Sequence, residues 1–157
     1  MQSSSALRYT NVQHHLAELG NSSPLHMVTW GGGSSFAEYA IHPLELAISC
    51  MGADVERLVR RGHGDFNQLL LDFSGRRTAV VNIYTNTSTP FAAALTTAQG
   101  TEYLAVDSSA IFRDTAAAML DLFASGQTSI DRRETLVIRH ILDAAETPAT
   151  RTESVEL

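Results

Sequence analysis

The chain has 157 residues, a net charge of −6 and 44% hydrophobic residues, a composition that predicts one globular domain and argues against a disordered chain. All eleven cationic side chains are arginines, which excludes a lysine Schiff base and a phosphate-loop lysine. The negative balance also argues against a nucleic-acid partner, because affinity for phosphates comes from clustered positive charge.

Cysteine content and hydropathy narrow the class of protein further. Cys50 is the single cysteine, which excludes an intrachain disulfide and a multi-cysteine metal site. No apolar run reaches the ~18–20 residues of a membrane span. The first five residues lack the basic segment and apolar core of a signal peptide. We therefore expect a soluble, cytoplasmic protein with no membrane partner and no metal site, organised as a single domain over residues 1–157.

The first third of the sequence predicts a helix, a strand and a second helix. Residues 8–19 carry apolar side chains at helical spacing, and residues 24–30 form a short apolar strand. The run Gly31-Gly32-Gly33 that follows is flanked by serines, and it is predicted to be a mobile connector in preference to a phosphate-binding loop. Residues 38–51 return to helical spacing.

The middle of the chain changes to short apolar or alternating segments, which are typical of strands. Short turns separate them, which indicates antiparallel pairing, because parallel neighbours need a crossover of a dozen residues or more. Two helices finish the chain, and the sequence therefore predicts an α+β fold with an open, mostly antiparallel sheet of five to six strands and helices packed on one face. The later strands are predicted at residues 55–60, 65–73, 78–86, 91–97 and 103–106, and the helices at 109–124 and 131–145.

The strand at residues 78–86 has apolar side chains on both of its faces. Side chains alternate along a strand, so Val80 and Val81 point to opposite sides of the sheet, and so do Ile83 and Tyr84. Two apolar faces predict that the second face is covered as well. We expect a second copy of the chain to cover it, giving a homodimer or a higher homo-oligomer.

One cluster of polar side chains on the second helix is the candidate for chemistry. At about 100° per residue, Glu38, His42, Glu45 and Ser49 fall within roughly 60° of one another on a helix. A histidine with a carboxylate one turn away on either side can act as a general base. The alternative, which spacing alone favours, is the solvated polar face of an ordinary amphipathic helix. Pro43 prefers the first helical turn, so the regular helix is expected to begin near His42, with Glu38 in the turn before it.

The cysteine and the other histidines carry weaker signals. His14 and His15 are adjacent, so on a helix they point about 100° apart and cannot chelate one ion in regular geometry. His63 lies in a basic, glycine-rich turn that could meet an anionic ligand but is more typical of a solvated loop. Cys50 lies on an apolar helix segment, which is typical of a buried small side chain.

The pattern Glu38-x-Ala40-x-His42-x-x-Glu45 resembles the Asp-x-Gly-x-His-x-x-Asp stretch of the Gfo/Idh/MocA oxidoreductases, the family of glucose–fructose oxidoreductase and inositol dehydrogenase. The resemblance extends over nearly the whole chain, in the order and spacing of that family's C-terminal domain. Each motif is weak alone, and their succession carries the resemblance. The further matching segments are residues 19–20, 65–75, 90–91, 99–101, 123–126, 133–136, 144–146 and 152–157.

The resemblance implies that two domains with different functions form the active site. In that family an N-terminal Rossmann domain holds NAD or NADP and supplies a catalytic lysine, and no counterpart of this domain is found in the chain. Carried over by position, His42 is the expected proton acceptor, and Glu38 takes the place of the orienting aspartate. Tyr39 and Glu45, in the same stretch, are then expected to contact the substrate.

The implied function is the substrate-side and oligomerisation domain of an NAD(P)-dependent oxidoreductase that acts on a sugar-like hydroxyl or carbonyl. The chain alone is expected to hold no cofactor and to be inactive. Its expected partners are a second copy of itself and a Rossmann domain in cis or in trans. The alternative is a free-standing, non-catalytic oligomerisation or ligand-binding module.

Overall fold

Seven strands form one sheet in the computed structural model, which describes residues 5–20 and 23–157. Their spatial order is β6-β5-β1-β4-β3-β2-β7, and neighbours are antiparallel except for the parallel pair β1 and β4. The expectation of an α+β fold with a mostly antiparallel open sheet is confirmed. The strands are β1 (His26–Gly33), β2 (Val55–His63), β3 (Phe66–Phe73), β4 (Arg77–Thr85), β5 (Ala92–Thr97), β6 (Gly100–Ala105) and β7 (Val155–Glu156).

Six α-helices and two short 3-10 turns complete the described part of the chain. α3 packs against β1 and β4, and α5 packs against α3 and β2. The helices are α1 (Asn11–Glu18), α2 (Phe36–Tyr39), α3 (Ile41–Met51), α4 (Ile111–Ser125), α5 (Arg132–Ala145) and α6 (Ala149–Thr152), and the 3-10 turns are Ala6–Arg8 and Ser74–Arg76.

Local side-chain contacts explain where several helices begin and end. Thr10 caps α1 in a capping box with Gln13, and Asp131 caps α5 by accepting the Arg133 backbone N–H. α4 ends at Gly126, whose φ of 69° is the left-handed conformation that glycine adopts without strain. Pro43 lies in the first turn of α3, as expected, and α2 forms the separate turn before it.

The hydrophobic core lies between the sheet and the helices. Eight of the eleven residues of α3 are buried, so this helix is enclosed on nearly all sides. Val81 and Ile83 of β4 are fully buried on the helix side, whereas Val80 and Tyr84 alternate to the opposite face and are half-buried. On that opposite face of the sheet, which we call the open face, Val28 is also half-buried and Leu70 is exposed.

Three features differ from the sequence expectations. The sheet has a seventh strand, because the two residues of β7 pair with β2. β1 and β4 are parallel neighbours, and the connection between them, residues 34–76, is long enough for the crossover that parallel strands need. The run Gly31-Gly32-Gly33 is the end of strand β1, paired with β4, so the prediction of a mobile connector is wrong.

Two findings bear on the expected environment of the chain. Within residues 5–20 and 23–157, no helix is long and apolar enough to cross a membrane. Residues 1–4, on which most of the signal-peptide prediction rests, lie outside the described residues.

Candidate functional site

His42 is held between a serine and two aromatic rings. Its Nδ1 atom lies 2.9 Å from the Oγ of Ser5, at hydrogen-bond distance. The rings of Tyr39 and Phe91 meet its imidazole edge-on, with centroids 5.8 and 6.0 Å away. Burial lowers the pKa of His42, and the negative charge of Glu45 opposes that shift in part. The imidazole is therefore neutral and half-buried at neutral pH.

Glu38 lies on the short helix α2, where its side chain is exposed to solvent. Its carboxylate accepts hydrogen bonds from the hydroxyls of Ser34 and Ser35, at 2.7 and 3.0 Å. These two hydrogen bonds lower the pKa of Glu38, which is exposed and ionised at neutral pH. Among the residues that the structure describes, Glu38 binds these serines and makes no hydrogen bond or ion pair with His42.

Glu45 is 2% exposed, although its spacing predicted an open polar face for α3. One carboxylate oxygen accepts the backbone N–H of Ser5 at 2.6 Å, and the other pairs with Nε of Arg8 at 2.9 Å. Arg8 also pairs with Glu134 at 2.5 Å. Burial opposes the charge of Arg8, but its hydrogen bonds to Glu45 and Glu134 outweigh burial and hold its pKa above the usual value. The expectation of a solvated face is wrong at Glu45, because residues 5–8 cover it.

The glycine run of β1 makes room for the rings beside His42. A Cβ atom at Gly31 would lie 2.4 Å from the ring of Phe91, and one at Gly33 would lie 2.2 Å from the ring of Tyr39. A Cβ at Gly32 would lie 1.7 Å from the backbone carbonyl oxygen of Tyr84. The three glycines are thus needed for close packing and not for flexibility.

The contacts of Gly31, Gly32 and Gly33 also show whether this run could bind the phosphates of a nucleotide cofactor. A phosphate-binding loop presents its backbone N–H groups to the ligand at the start of a helix. Here the run pairs with β4, and aromatic rings occupy the space above Gly31 and Gly33. This segment therefore does not fit the phosphates of a dinucleotide.

Other candidate groups do not join the site. Cys50 is buried, and burial raises the pKa of its thiol to about 11, so it is a core side chain as predicted. His63 is exposed at the end of β2. In residues 5–20 and 23–157, no group of three or more histidine, cysteine or acidic side chains could hold a metal ion.

Sequence reasoning missed Ser5 and Phe91 as neighbours of His42. Ser5 lies at the start of the chain outside any predicted element, and Phe91 begins the predicted strand at residues 91–97. The sequence separation of 37 residues between Ser5 and His42 hides their contact from any local pattern.

Several solved structures share this fold. Apo scyllo-inositol dehydrogenase from Lactobacillus casei matches with a TM-score of 0.75 and 8% identity over 96% of this chain and 60% of its own. GenD2 from gentamicin A biosynthesis, in complex with NAD, matches with a TM-score of 0.71 and 12% identity over 97% of this chain and 62% of its own.

An oxidoreductase from Agrobacterium radiobacter, in complex with NAD+, L-tartaric acid and magnesium, matches with a TM-score of 0.69 and 16% identity. That match covers 96% of this chain and 63% of the other. No protein-family profile and no curated protein sequence matches the chain. This chain therefore has the fold expected from the Gfo/Idh/MocA resemblance, and it spans about three fifths of the length of these solved chains.

Proposed function

We propose that this chain is the substrate-side part of an NAD(P)-dependent oxidoreductase that acts on a sugar-like hydroxyl or carbonyl. The observation that carries the proposal is His42, neutral, half-buried and framed by Tyr39 and Phe91, on a fold shared with NAD-bound oxidoreductases. The glycine run offers no phosphate cradle, which supports assigning the substrate side of the reaction, and not cofactor binding, to this chain.

Each residue of the site has a distinct proposed role. His42 exchanges a proton with the substrate oxygen, since a neutral imidazole can both accept and donate a proton. Tyr39 offers a half-buried ring beside His42, and such a ring packs against the apolar face of a sugar-like substrate. Glu38 supplies an exposed negative charge on the helix that also carries Tyr39. Glu45 has protein partners on both oxygens, so we assign it to holding Ser5 and Arg8, in place of the expected substrate contact.

The cofactor belongs to a separate nucleotide-binding part, in cis or in trans, which would supply the hydride chemistry. Helix α4 supports such a partner, because it buries only Ile111 and leaves a stripe of large apolar side chains exposed. Among the described residues, α4 contacts the 3-10 turn next to Ser5, so a partner docked on α4 would lie beside the site. The stripe consists of Phe112, Met119, Leu120 and Phe123, which are 81%, 52%, 67% and 75% exposed.

Self-association through the open face is the second part of the proposal. One apolar or small side chain from each of six adjacent strands forms a continuous row across this face. An apolar row of this length on one face of an antiparallel sheet favours a covering partner. A second copy of the chain offers the same row. The row is Tyr103, Ala94, Val28, Val80, Leu70 and Val59, in register from β6 to β2.

The alternative is a non-catalytic oligomerisation or ligand-binding module. The observation that favours it is Glu38, whose carboxylate is engaged by Ser34 and Ser35 instead of orienting His42. In that case the aromatic frame would bind a ligand without proton transfer, and the open face would carry the main function.

Saturation-transfer NMR with scyllo-inositol and L-tartrate as probes tests the substrate-side assignment. We expect at least one probe to receive saturation from the protein, and His42→Gln and Tyr39→Ala to weaken that transfer severalfold. The matched control is His63→Gln, which changes an exposed histidine outside the site and should leave the transfer unchanged. Transfer that is absent for both probes, or that survives both site variants, contradicts the proposal.

A further inference from the structure

The Ser5 hydroxyl has a restricted choice of hydrogen-bond partners. Ser5 is 8% exposed, and its Oγ accepts the backbone N–H of Leu7 at 3.2 Å. The other described partner of this oxygen is His42 Nδ1. A serine hydroxyl has one hydrogen to donate and two lone pairs, and buried polar hydrogens are almost always satisfied.

These contacts leave two arrangements for a neutral His42. If Nδ1 carried the proton and donated to Oγ, the serine hydrogen would have no acceptor among the described residues. If the hydroxyl donates to Nδ1, the serine hydrogen has its acceptor, and the hydrogen left without a described partner is the one on Nε2 of the half-buried ring. An unsatisfied donor is more costly on the Ser5 hydroxyl, which belongs to a residue 8% exposed, than on the half-buried imidazole, and this difference favours the second arrangement.

We propose that Ser5 is a positioning residue that donates to His42 Nδ1, so that neutral His42 carries its proton on Nε2 and presents an N–H donor to the substrate oxygen. Nε2 has no hydrogen-bond partner among the described residues, and it is therefore the nitrogen left for a ligand. Ser5 is itself fixed, because buried Glu45 accepts its backbone N–H at 2.6 Å.

The consequence for substrate choice rests on the proposed function. A carbonyl oxygen offers only lone pairs, so it matches the Nε2–H donor of the resting protein directly. A hydroxyl substrate needs a lone pair at Nε2 before it can give up its proton, so His42 must first lose the Nε2 proton to solvent and take one up from solvent on Nδ1, with the serine turned to accept from Nδ1–H. The resting site is therefore built to recognise the carbonyl form of a sugar-like substrate.

Long-range 1H–15N correlation NMR of the imidazoles tests the tautomer without substrate or cofactor. The spectrum is recorded about one pH unit above the ordinary histidine pKa of about 6.5, and the His42 signals are assigned by their loss in His42→Gln. We expect an unprotonated, hydrogen-bonded Nδ1 and a protonated Nε2. A protonated Nδ1 in the wild-type protein overturns the proposal.

Variants of Ser5 test the cause of the tautomer. Ser5→Ala should shift the Nδ1 resonance downfield, because that nitrogen loses its donor, whereas Ser5→Thr keeps a hydroxyl and should retain the wild-type pattern. An unchanged His42 spectrum in Ser5→Ala would show that the serine does not set the tautomer. If a variant fails to fold, the wild-type spectrum alone still decides the proton position. Because no turnover is measured, a failure of the oxidoreductase proposal leaves this result intact.

Discussion

The ring of Phe91 occupies the space that a side chain at Gly31 would need, with its nearest atom 2.4 Å from the position of a Cβ. Gly32 lies under a different obstacle, the backbone carbonyl of Tyr84 at 1.7 Å. A ring can move aside or be shortened, whereas the carbonyl belongs to the paired strand β4 and cannot. The two glycines are therefore needed for different reasons.

This difference predicts opposite outcomes in double mutants. Gly31→Ala should lower the free energy of unfolding by about 1–3 kcal/mol, the usual cost of overpacking, and Phe91→Leu in the same chain should recover part of it. Gly32→Ala should cost more, and Tyr84→Ala should recover none of that loss, because the obstacle is main chain. Urea titrations of the singles and doubles give the coupling energies. Equal coupling in both pairs would contradict the assignment.

The buried ion pair between Arg8 and Glu45 gives a second prediction. Their side chains are 10% and 3% exposed, so Arg8→Met would leave a carboxylate buried with only the Ser5 N–H as a partner. Removing one member of a buried pair costs about 3–5 kcal/mol, and we expect a loss of that order in urea unfolding. Arg139→Met is the matched control, because Arg139 and its partner Asp143 are 73% and 54% exposed. That control should change the free energy of unfolding by less than about 1 kcal/mol.

The spacing of apolar residues on α3 predicted the helix correctly, but it did not predict which of the polar side chains are exposed. The apolar spacing placed the helix, and Pro43 placed its first turn. The burial of Glu45 depends on Arg8, which is 37 residues away in sequence, and no periodicity within the helix reports a segment that folds over it.

The glycine run shows a second limit of sequence reasoning. Three consecutive glycines are compatible both with a flexible connector and with a strand that other groups approach closely. The choice between them depends on Phe91, Tyr84 and Tyr39, which reach the run from just before β5, from β4 and from α2, respectively. Those contacts are tertiary, so the sequence alone favoured the wrong alternative.

The titration of His42 predicts how stability responds to pH. Its pKa is lowered in the folded protein, so the unfolded chain binds the proton more readily as the pH falls past the ordinary histidine pKa. The free energy of unfolding should therefore decrease from neutral pH down to the folded-state pKa of His42. Replacing it in His42→Gln should flatten this part of the profile. Urea titrations between about pH 7.5 and 5 measure the difference between the two proteins.

The His63→Gln variant is the control for this pH dependence of the free energy of unfolding. His63 is exposed, so its replacement should leave the wild-type slope in place. A wild-type slope that is unchanged in His42→Gln would show that burial of His42 does not contribute to acid sensitivity.

Nicotinamide cofactors should not bind to the chain by itself. The glycine run is filled by aromatic rings and paired with β4, and the chain has no lysine to replace a phosphate cradle. Titration of NADH and of NADPH in a calorimeter should give no saturable heat. A micromolar dissociation constant for either cofactor would contradict this expectation.

The open face predicts a homodimer or a higher homo-oligomer that a single charge can dissociate. Val80 lies near the middle of the apolar row on that face, between Val28 of β1 and Leu70 of β3. In a symmetric pair, Val80→Asp would bury an unpaired carboxylate in the interface, and that cost exceeds what one side chain gains by packing. Light scattering at high micromolar concentration should show the wild-type protein as an oligomer and the variant at the mass of one chain. Leu136→Asp adds the same charge at an exposed position of α5 and should leave the oligomer intact. A wild-type protein that is monomeric under these conditions removes the basis for self-association through this face.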